Sequence, residues 1–414
     1  MKNTTERILI ASAYQEEIEE QLSNWKILDR IILKEECIFD YFDTNRLEYE
    51  KYYIGDIKDD NSKKNIIIEL ADAGICLGGI ETWAIMLTRG LKSRGYNVGL
   101  WLREQEQTIP DDLKEISTEI NYDYTRYKES IQETVEKLIQ KLPCTVISNW
   151  QSQVMIAAIL VKRMYPKQLK LISVIHSDQK IFYRRQMYMV NKTDIIFGIS
   201  KKICRTFIEK YNVDRNKIVY KETPVNHVAE QHIYEMDRRN PIKIGFAARI
   251  TKALKRADLL VQLVNKMNKK NINFSIKIAG DGSYFERMKS DIDISKGNVV
   301  ISGKIPREEM QDFWEDRDIF LSTSDLEGSS VSMLEAMSAG AVPVVTLVSG
   351  VEEFIANGVN GYVSEPGNID GLINGIVELE RNREKLKEMG NYNLKIINER
   401  CNHDDYLDVF EQII

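Results

Sequence analysis

From residue 64 onward the chain runs through the same order twice: short runs rich in β-branched apolar residues alternate with stretches that carry apolar residues at helical spacing. The first series holds NIIIELA (65–71), NVGLWL (97–102), TVISNW (145–150), LKLISVIH (169–176) and DIIFGIS (194–200). The helical pattern IETWAIMLTRGLKSRG (80–95) follows the first of these runs and ends at Gly95. The second series holds IKIGFAA (242–248), NFSIKIAG (273–280), NVVISG (298–303), DIFLST (318–323) and AVPVVTL (341–347). Repeated strand–helix–strand order requires parallel strands joined by crossover helices. The polar stretch AEQHIYEMDRRNP (229–241) separates the two series and places a boundary near residues 225–241. A chain of 414 residues is long enough for two domains at roughly 100–200 residues each. We therefore expect an α/β chain of two doubly wound domains, residues 64–228 and 229–399. In such folds ligands bind beyond the carboxyl ends of the strands.

Two parts stand outside the repeat. Residues 1–63 are rich in charge and tyrosine, with one early apolar run at 7–13, and read as an extension of the first domain, built as a helical hairpin or as extra strands. The stretch DDYLDVFEQII (404–414) has the spacing of an amphipathic helix, expected to return to the first domain.

Charge and cysteine usage narrow the class. Net charge is −6 with no basic arm, which argues against nucleic acid as a partner. The first twenty residues lack an apolar h-region and carry an acidic run, unlike a secretory leader. No apolar stretch approaches the roughly 18 residues of a membrane span. Five cysteines, at 37, 76, 144, 204 and 401, are odd in number and far apart, the pattern of free thiols in a reducing compartment. Four histidines are too few to expect a multi-histidine metal site.

The chemistry-bearing residues fall at strand ends. EGSSVSMLE puts Glu327 and Glu335 on either side of a Gly-Ser-Ser loop, with Glu335 inside an apolar run and expected about two turns into the next helix. A carboxylate in such surroundings needs a partner, because burying an unpaired charge is costly. Ligand hydroxyls would supply one, and the helix start offers N–H groups to a phosphate. Gly78 and Gly79 precede a helix that begins near Glu81; either a tight turn or close backbone approach to an anion explains them. Arg249 and Lys255, six apart beyond a strand, form either a solvated surface cluster or a clamp on a diphosphate. His176 ends a strand and is read as a ligand contact, against the alternative of a hydrogen-bonded core histidine. GDGS (280–283) is a turn of either kind, and the D-x-D pairs at 291–293 and 316–318 read as surface charge. The aromatic-basic run IFYRRQMYMV (181–190) reads as a half-buried helix. A carboxylate pair also fits glycoside hydrolysis, but the neighbouring cations and glycine loops favour an anionic ligand.

Together these segments resemble the retaining GT-B glycosyltransferases, in particular family 4, over about residues 64–414. The most specific element is the pair of glutamates, Glu327 and Glu335, within DLEGSSVSMLEAMSAGAVPVV; Gly-Gly-x-Glu (78–81) and Arg-x5-Lys (249–255) also match. The resemblance implies two Rossmann-like domains facing across a cleft, a nucleoside-diphosphate sugar as donor (a UDP- or GDP-sugar), and no metal or other cofactor. By position, Glu335 would bind ribose hydroxyls and Glu327 the donor sugar, while Ser330 and Val331 would offer N–H groups to the diphosphate. Ser329 and Leu334 complete that donor segment. Arg249 and Lys255 would stabilise the leaving group, Gly78 and Gly79 would face the phosphates, and His176 would touch the transferred sugar. Lys304 and Ile305 fall where the family holds the base. The acceptor (carbohydrate, lipid-linked or protein) would enter near Trp150 and Gln151 and the aromatic run at 182–188. Two departures stand out: Ser329-Ser330 replaces an aromatic-Gly pair, which bears on donor preference, and Ala248 replaces a glycine. The expected location is cytoplasmic; peripheral membrane contact and a homo-oligomer are left open. The rivals are a non-catalytic partner of the same fold and a GT-B epimerase or phosphorylase.

Overall fold

The computed structural model describes residues 65–70, 79–103, 110–120, 127–149, 153–226 and 232–414, with two three-residue strands upstream. Those two, β1 (Ile8–Ile10) and β2 (Ile31–Leu33), pair in parallel, so this part of the extension carries strands. Gly78, Trp150 and Gln151 lie outside the described residues.

The first large sheet has seven parallel strands in the order β5-β4-β3-β6-β7-β8-β9. They are β3 (Asn65–Glu69), β4 (Asn97–Arg103), β5 (Ser117–Ile120), β6 (Cys144–Ser148), β7 (Leu169–Ile175), β8 (Ile195–Gly198) and β9 (Ile218–Tyr220). The second has six, in the order β12-β11-β10-β13-β14-β15. They are β10 (Ile242–Ala247), β11 (Phe274–Ala279), β12 (Val299–Gly303), β13 (Ile319–Ser322), β14 (Val342–Thr346) and β15 (Tyr362–Ser364). Central strands such as β6 are buried along their whole length, because helices cover both faces of a parallel sheet. Strand order reverses between β3 and β6 and again between β10 and β13. Such reversals open a crevice at the carboxyl ends, so each sheet presents one to its neighbour. Both sheets match the two doubly wound domains expected. The short strands β5, β9 and β15 were not foreseen.

The helix His403–Ile413 buries Tyr406, Leu407, Phe410 and Ile413 in the core of the first sheet. Its start is capped by Asn402, whose side-chain oxygen accepts from the N–H groups of Asp404 and Asp405. The Trp83 indole donates to Tyr406 Oη at 2.5 Å. A Cβ on Gly90 would lie 2.6 Å from Leu407 Cδ2, so this close helix approach depends on glycine. The preceding helix, Arg383–Arg400, belongs to the second core through Leu386, Met389 and Ile397. The chain therefore crosses between the cores just after Arg400, where ion pairs and hydrogen bonds lock them together. Arg400 reaches Glu222 at 3.0 Å and the Glu353 carbonyl at 2.8 Å. The Glu353 carboxylate accepts from Tyr220 Oη at 2.6 Å and from the Lys201 N–H at 2.5 Å. This clasp holds the two sets of strand ends face to face.

Candidate active site between the two sheets

A cleft of about 980 Å³ lies between the facing strand ends. The first domain lines it with Gly79, Trp83 and His176; the second with Arg249, Lys255, Lys304, Ile305, Glu327, Ser329, Ser330, Val331 and Glu335. Residues far apart in sequence, from Gly79 to Glu335, thus meet in one place because both sheets end there.

The loop after β10 carries the two cations. A Cβ on Gly280, at φ +129°, would fall 1.9 Å from the Ala248 carbonyl oxygen, so the loop after β11 presses directly on it. Lys255 is fixed from the backbone side: Thr323 Oγ1 donates to the carbonyls of Lys255 and Arg256 at 3.0 and 3.1 Å. Lys255 Nζ then meets Glu327 Oε1 at 2.5 Å, and Ser324 Oγ donates to the same oxygen at 2.7 Å. Only 11% of the Glu327 side chain is exposed, so this pair is well shielded from solvent screening. Arg249, by contrast, is exposed on the cleft and has no ion-pair partner among the described residues.

Glu335 lies one turn, not two, into its helix, which starts at Val331. Its carboxylate pairs with Arg307 at 2.7 Å. Burial pushes this carboxyl above the usual range, and the Arg307 guanidinium pulls it partly back. Arg307 went unread in the sequence because it sits among acidic residues (PREEM), where a basic residue looks like solvated surface; only its nearness to Lys304 and Ile305 hinted otherwise. The raised carboxyl has a stability consequence. A group that binds its proton more tightly when folded costs stability as pH rises from the ordinary carboxylate range through the raised value. Glu335→Gln is therefore expected to raise the thermal midpoint of the unliganded protein at neutral pH. The gain should vanish below the ordinary carboxylate range, and thermal melts across pH check it.

His176 follows β7. Its Nε2 lies 2.9 Å from Asn149 Oδ1, and its ring meets Trp83 edge-on at 5.1 Å between centroids. Burial pushes the imidazole down to about 3, so the ring is uncharged near neutral pH. The His176 carbonyl touches the loop between the two glutamates: a Cβ on Gly328 would lie 2.0 Å from it.

Some expectations need correction. Leu334 is fully buried in the second core and does not line the cleft; Val331 and Glu335, one helical turn apart, occupy the other face. The Val331 N–H is donated to the Ser329 carbonyl at 3.1 Å, so a phosphate would have to compete for it. In the aromatic run, Phe182 and Tyr183 are buried, and Tyr183 Oη donates to Asp178 at 2.6 Å; these rings form core and not an acceptor face. Asp318 is not surface charge. It is buried, accepts from the Lys243 N–H at 2.8 Å and faces the His232 ring at 3.3 Å. No group of three or more His, Cys, Asp or Glu is placed to hold a metal among the described residues. No described helix is long and apolar enough to cross a membrane.

Two parallel α/β domains whose strand ends enclose cations, buried carboxylates and glycine loops define a GT-B glycosyltransferase. The chain belongs to the group 1, family 4-like glycosyltransferases: the family described as "Glycosyl transferases group 1" matches residues 232–396, and "Glycosyltransferase Family 4" matches residues 77–228. A poly(ribitol-phosphate) alpha-N-acetylglucosaminyltransferase of Staphylococcus aureus is 25% identical over 236 residues, 56% of this chain and 46% of that protein. An N-acetyl-alpha-D-glucosaminyl L-malate synthase of Bacillus anthracis is 22% identical over 278 residues, 62% of this chain and 71% of that protein. The chain thus spans about half the length of the first of these relatives. Among solved structures, Anabaena HepE in complex with UDP and glucose superposes with a TM-score of 0.70 at 14% identity, over 84% of this chain and 98% of that one. The pneumococcal O-GlcNAc transferase GtfA, in complex with UDP and GlcNAc, gives 0.70 at 11% identity, over 85% and 98%. At these identities the structural likeness speaks for the fold alone.

Proposed function

We propose that this protein transfers a sugar, with retention of anomeric configuration and without a metal ion, from a nucleoside-diphosphate sugar to a hydroxyl acceptor. The observation that carries this reading is the exposed Arg249, without an ion-pair partner among the described residues, lining the same cleft as the Lys255–Glu327 pair beyond β10. It supplies positive charge for a departing diphosphate and, beside it, a carboxylate oriented toward sugar hydroxyls. Glu335, paired with Arg307, accepts from ribose hydroxyls. Lys304 and Ile305 flank the base, and Gly79 and the loop 328–331 face the phosphates. Glu327 and Glu335 are each held by a cation, which suits hydrogen-bond acceptors better than a nucleophile and favours attack on the same face as departure. UDP in the HepE and GtfA complexes favours uridine as the base. We place the acceptor, a carbohydrate, lipid-linked or protein hydroxyl, on the first-domain side of the cleft. The domains are proposed as residues 64–228 and 229–399, and the setting as the cytoplasm, where free thiols such as Cys144, Cys204 and Cys401 persist. A non-catalytic partner is disfavoured because such a chain has no need to keep both cations and both glutamates.

The test is a panel of nucleotide-sugars in melting and turnover assays. A bound donor at about 100 times its Kd should add roughly 2.7 kcal/mol of stability. The matching donor should release nucleoside diphosphate, with or without a chelator. Stabilisation with no release, whatever acceptor is offered, would instead identify a binding partner.

A further inference from the structure

The hydrogen bonds behind His176 determine which of its ring nitrogens carries a proton. Asn149, buried just beyond β6, donates its side-chain Nδ2 to the backbone carbonyl of Glu69 at the end of β3. A carbonyl oxygen only accepts, so the amide group facing it must be the NH₂. The Asn149 atom facing His176 is then the oxygen, at 2.9 Å from Nε2, and it too can only accept. Nε2 must therefore carry the hydrogen. Ser148 Oγ donates to Glu69 Oε2 at 2.6 Å, a second tie between the ends of β3 and β6. The ring lines the cleft and meets the Trp83 indole edge-on, and its burial disfavours a second proton. The only ring nitrogen left to a ligand is Nδ1, which then offers a lone pair and no N–H.

We infer that Asn149 is a positioning residue that holds His176 as a neutral, acceptor-only contact, and that this contact selects donors presenting a hydroxyl there and rejects those presenting a carboxylate. A sugar hydroxyl donates to the Nδ1 lone pair. A uronate carboxylate brings only lone pairs and a charge, and it meets no donor on this ring. The inference rests on the reading of the cleft as a nucleotide-sugar site, and it narrows the donor class to uncharged sugars.

Three measurements test it. First, ¹⁵N-histidine spectra of the full chain, which has four histidines, should show the His176 signal (assigned by its loss in His176→Ala) with Nδ1 unprotonated and Nε2 protonated. An Nδ1–H tautomer or an imidazolium near neutral pH would overturn the inference. Second, kcat/KM for UDP-glucose, UDP-galactose and UDP-N-acetylglucosamine should be compared with UDP-glucuronate and UDP-galacturonate. The best neutral donor should exceed the best uronate by on the order of 10²-fold, because a site built to pair with a hydroxyl rejects a group that leaves it unpaired; a preference for uronates overturns the inference. Third, Asn149→Ala should cost roughly ten-fold in kcat/KM, and nothing further once His176 is already alanine. Additive losses would show Asn149 acting elsewhere and overturn its positioning role. Should Asn149→Ala fail to fold, the wild-type spectrum still decides the tautomer. If no sugar nucleotide binds at all, the transferase reading fails, while the tautomer is still read from the spectrum.

Discussion

Lys255→Ala is expected to lower kcat by about 10²–10³, equivalent to about 2.7–4 kcal/mol of transition-state stabilisation. KM for the donor should move far less, because negative charge on the leaving diphosphate grows mainly as the bond to the sugar breaks. The substitution also removes the cation 2.5 Å from Glu327, a carboxylate whose side chain is only 11% exposed. Among the described residues Ser324 would remain as its donor, at 2.7 Å. Some stability should be lost as well, since a shielded charge stripped of its partner is unfavourable. The double variant Lys255→Ala/Glu327→Gln separates the two effects. It should recover the thermal midpoint and leave turnover low. If Lys255→Ala turned over normally with saturating donor, the leaving-group role would have to be given up and Arg249 left as the sole candidate.

The elements that sequence pattern revealed share a physical origin. β3, β6, β7, β10, β13 and β14 are covered on both faces, so each reads as a mostly apolar run between turn signals. β5 and β9 lie at the edges of the first sheet and β15 at an edge of the second, and each is only three or four residues long. Half-covered and short, they carry no such run; STEI is polar at three of its four positions. The site divides in the same way. Glu335 drew notice because a carboxylate in an apolar run conflicts with its surroundings, and Arg249 and Lys255 because they follow a strand. Arg307 raised no such conflict, and its pairing with Glu335 is a long-range contact that spacing does not encode. The Asn149 link to His176 joins two strand ends across 27 residues and is equally invisible without the sheet order. Leu334 shows the opposite error: a residue inside a site motif was counted with it, although helical geometry turns it into the core.

Gly328→Ala is expected to cost about 10² in kcat/KM while changing the thermal midpoint little. The new Cβ would sit 2.0 Å from the His176 carbonyl oxygen, 2.8 Å from its carbon and 2.9 Å from Ile199 Cδ1. Neither backbone can yield easily. His176 directly follows β7, an interior strand of a seven-stranded sheet. On the other side, Gly350 backs the loop closely enough that its own added Cβ would be 3.1 Å from the Gly328 carbonyl. The clash lies between two domains that each have their own core, so drawing the donor loop away from the first domain relieves it without unfolding either one. That retreat is about 1 Å, and a misplacement of this size typically costs on the order of 10² in rate. Activity should therefore suffer more than stability. Gly79→Ala provides the contrast. Its Cβ would lie 3.7 Å from Val331 Cγ2, an ordinary contact, so protein packing alone tolerates the change. Any activity lost by Gly79→Ala would then report on how closely the donor approaches that backbone, whereas loss in Gly328→Ala reports on the fit between the domains. Full activity in Gly328→Ala would mean that the His176 carbonyl and the glutamate loop do not meet in the working enzyme. The cleft would then have to close by a different approach of the two sheets.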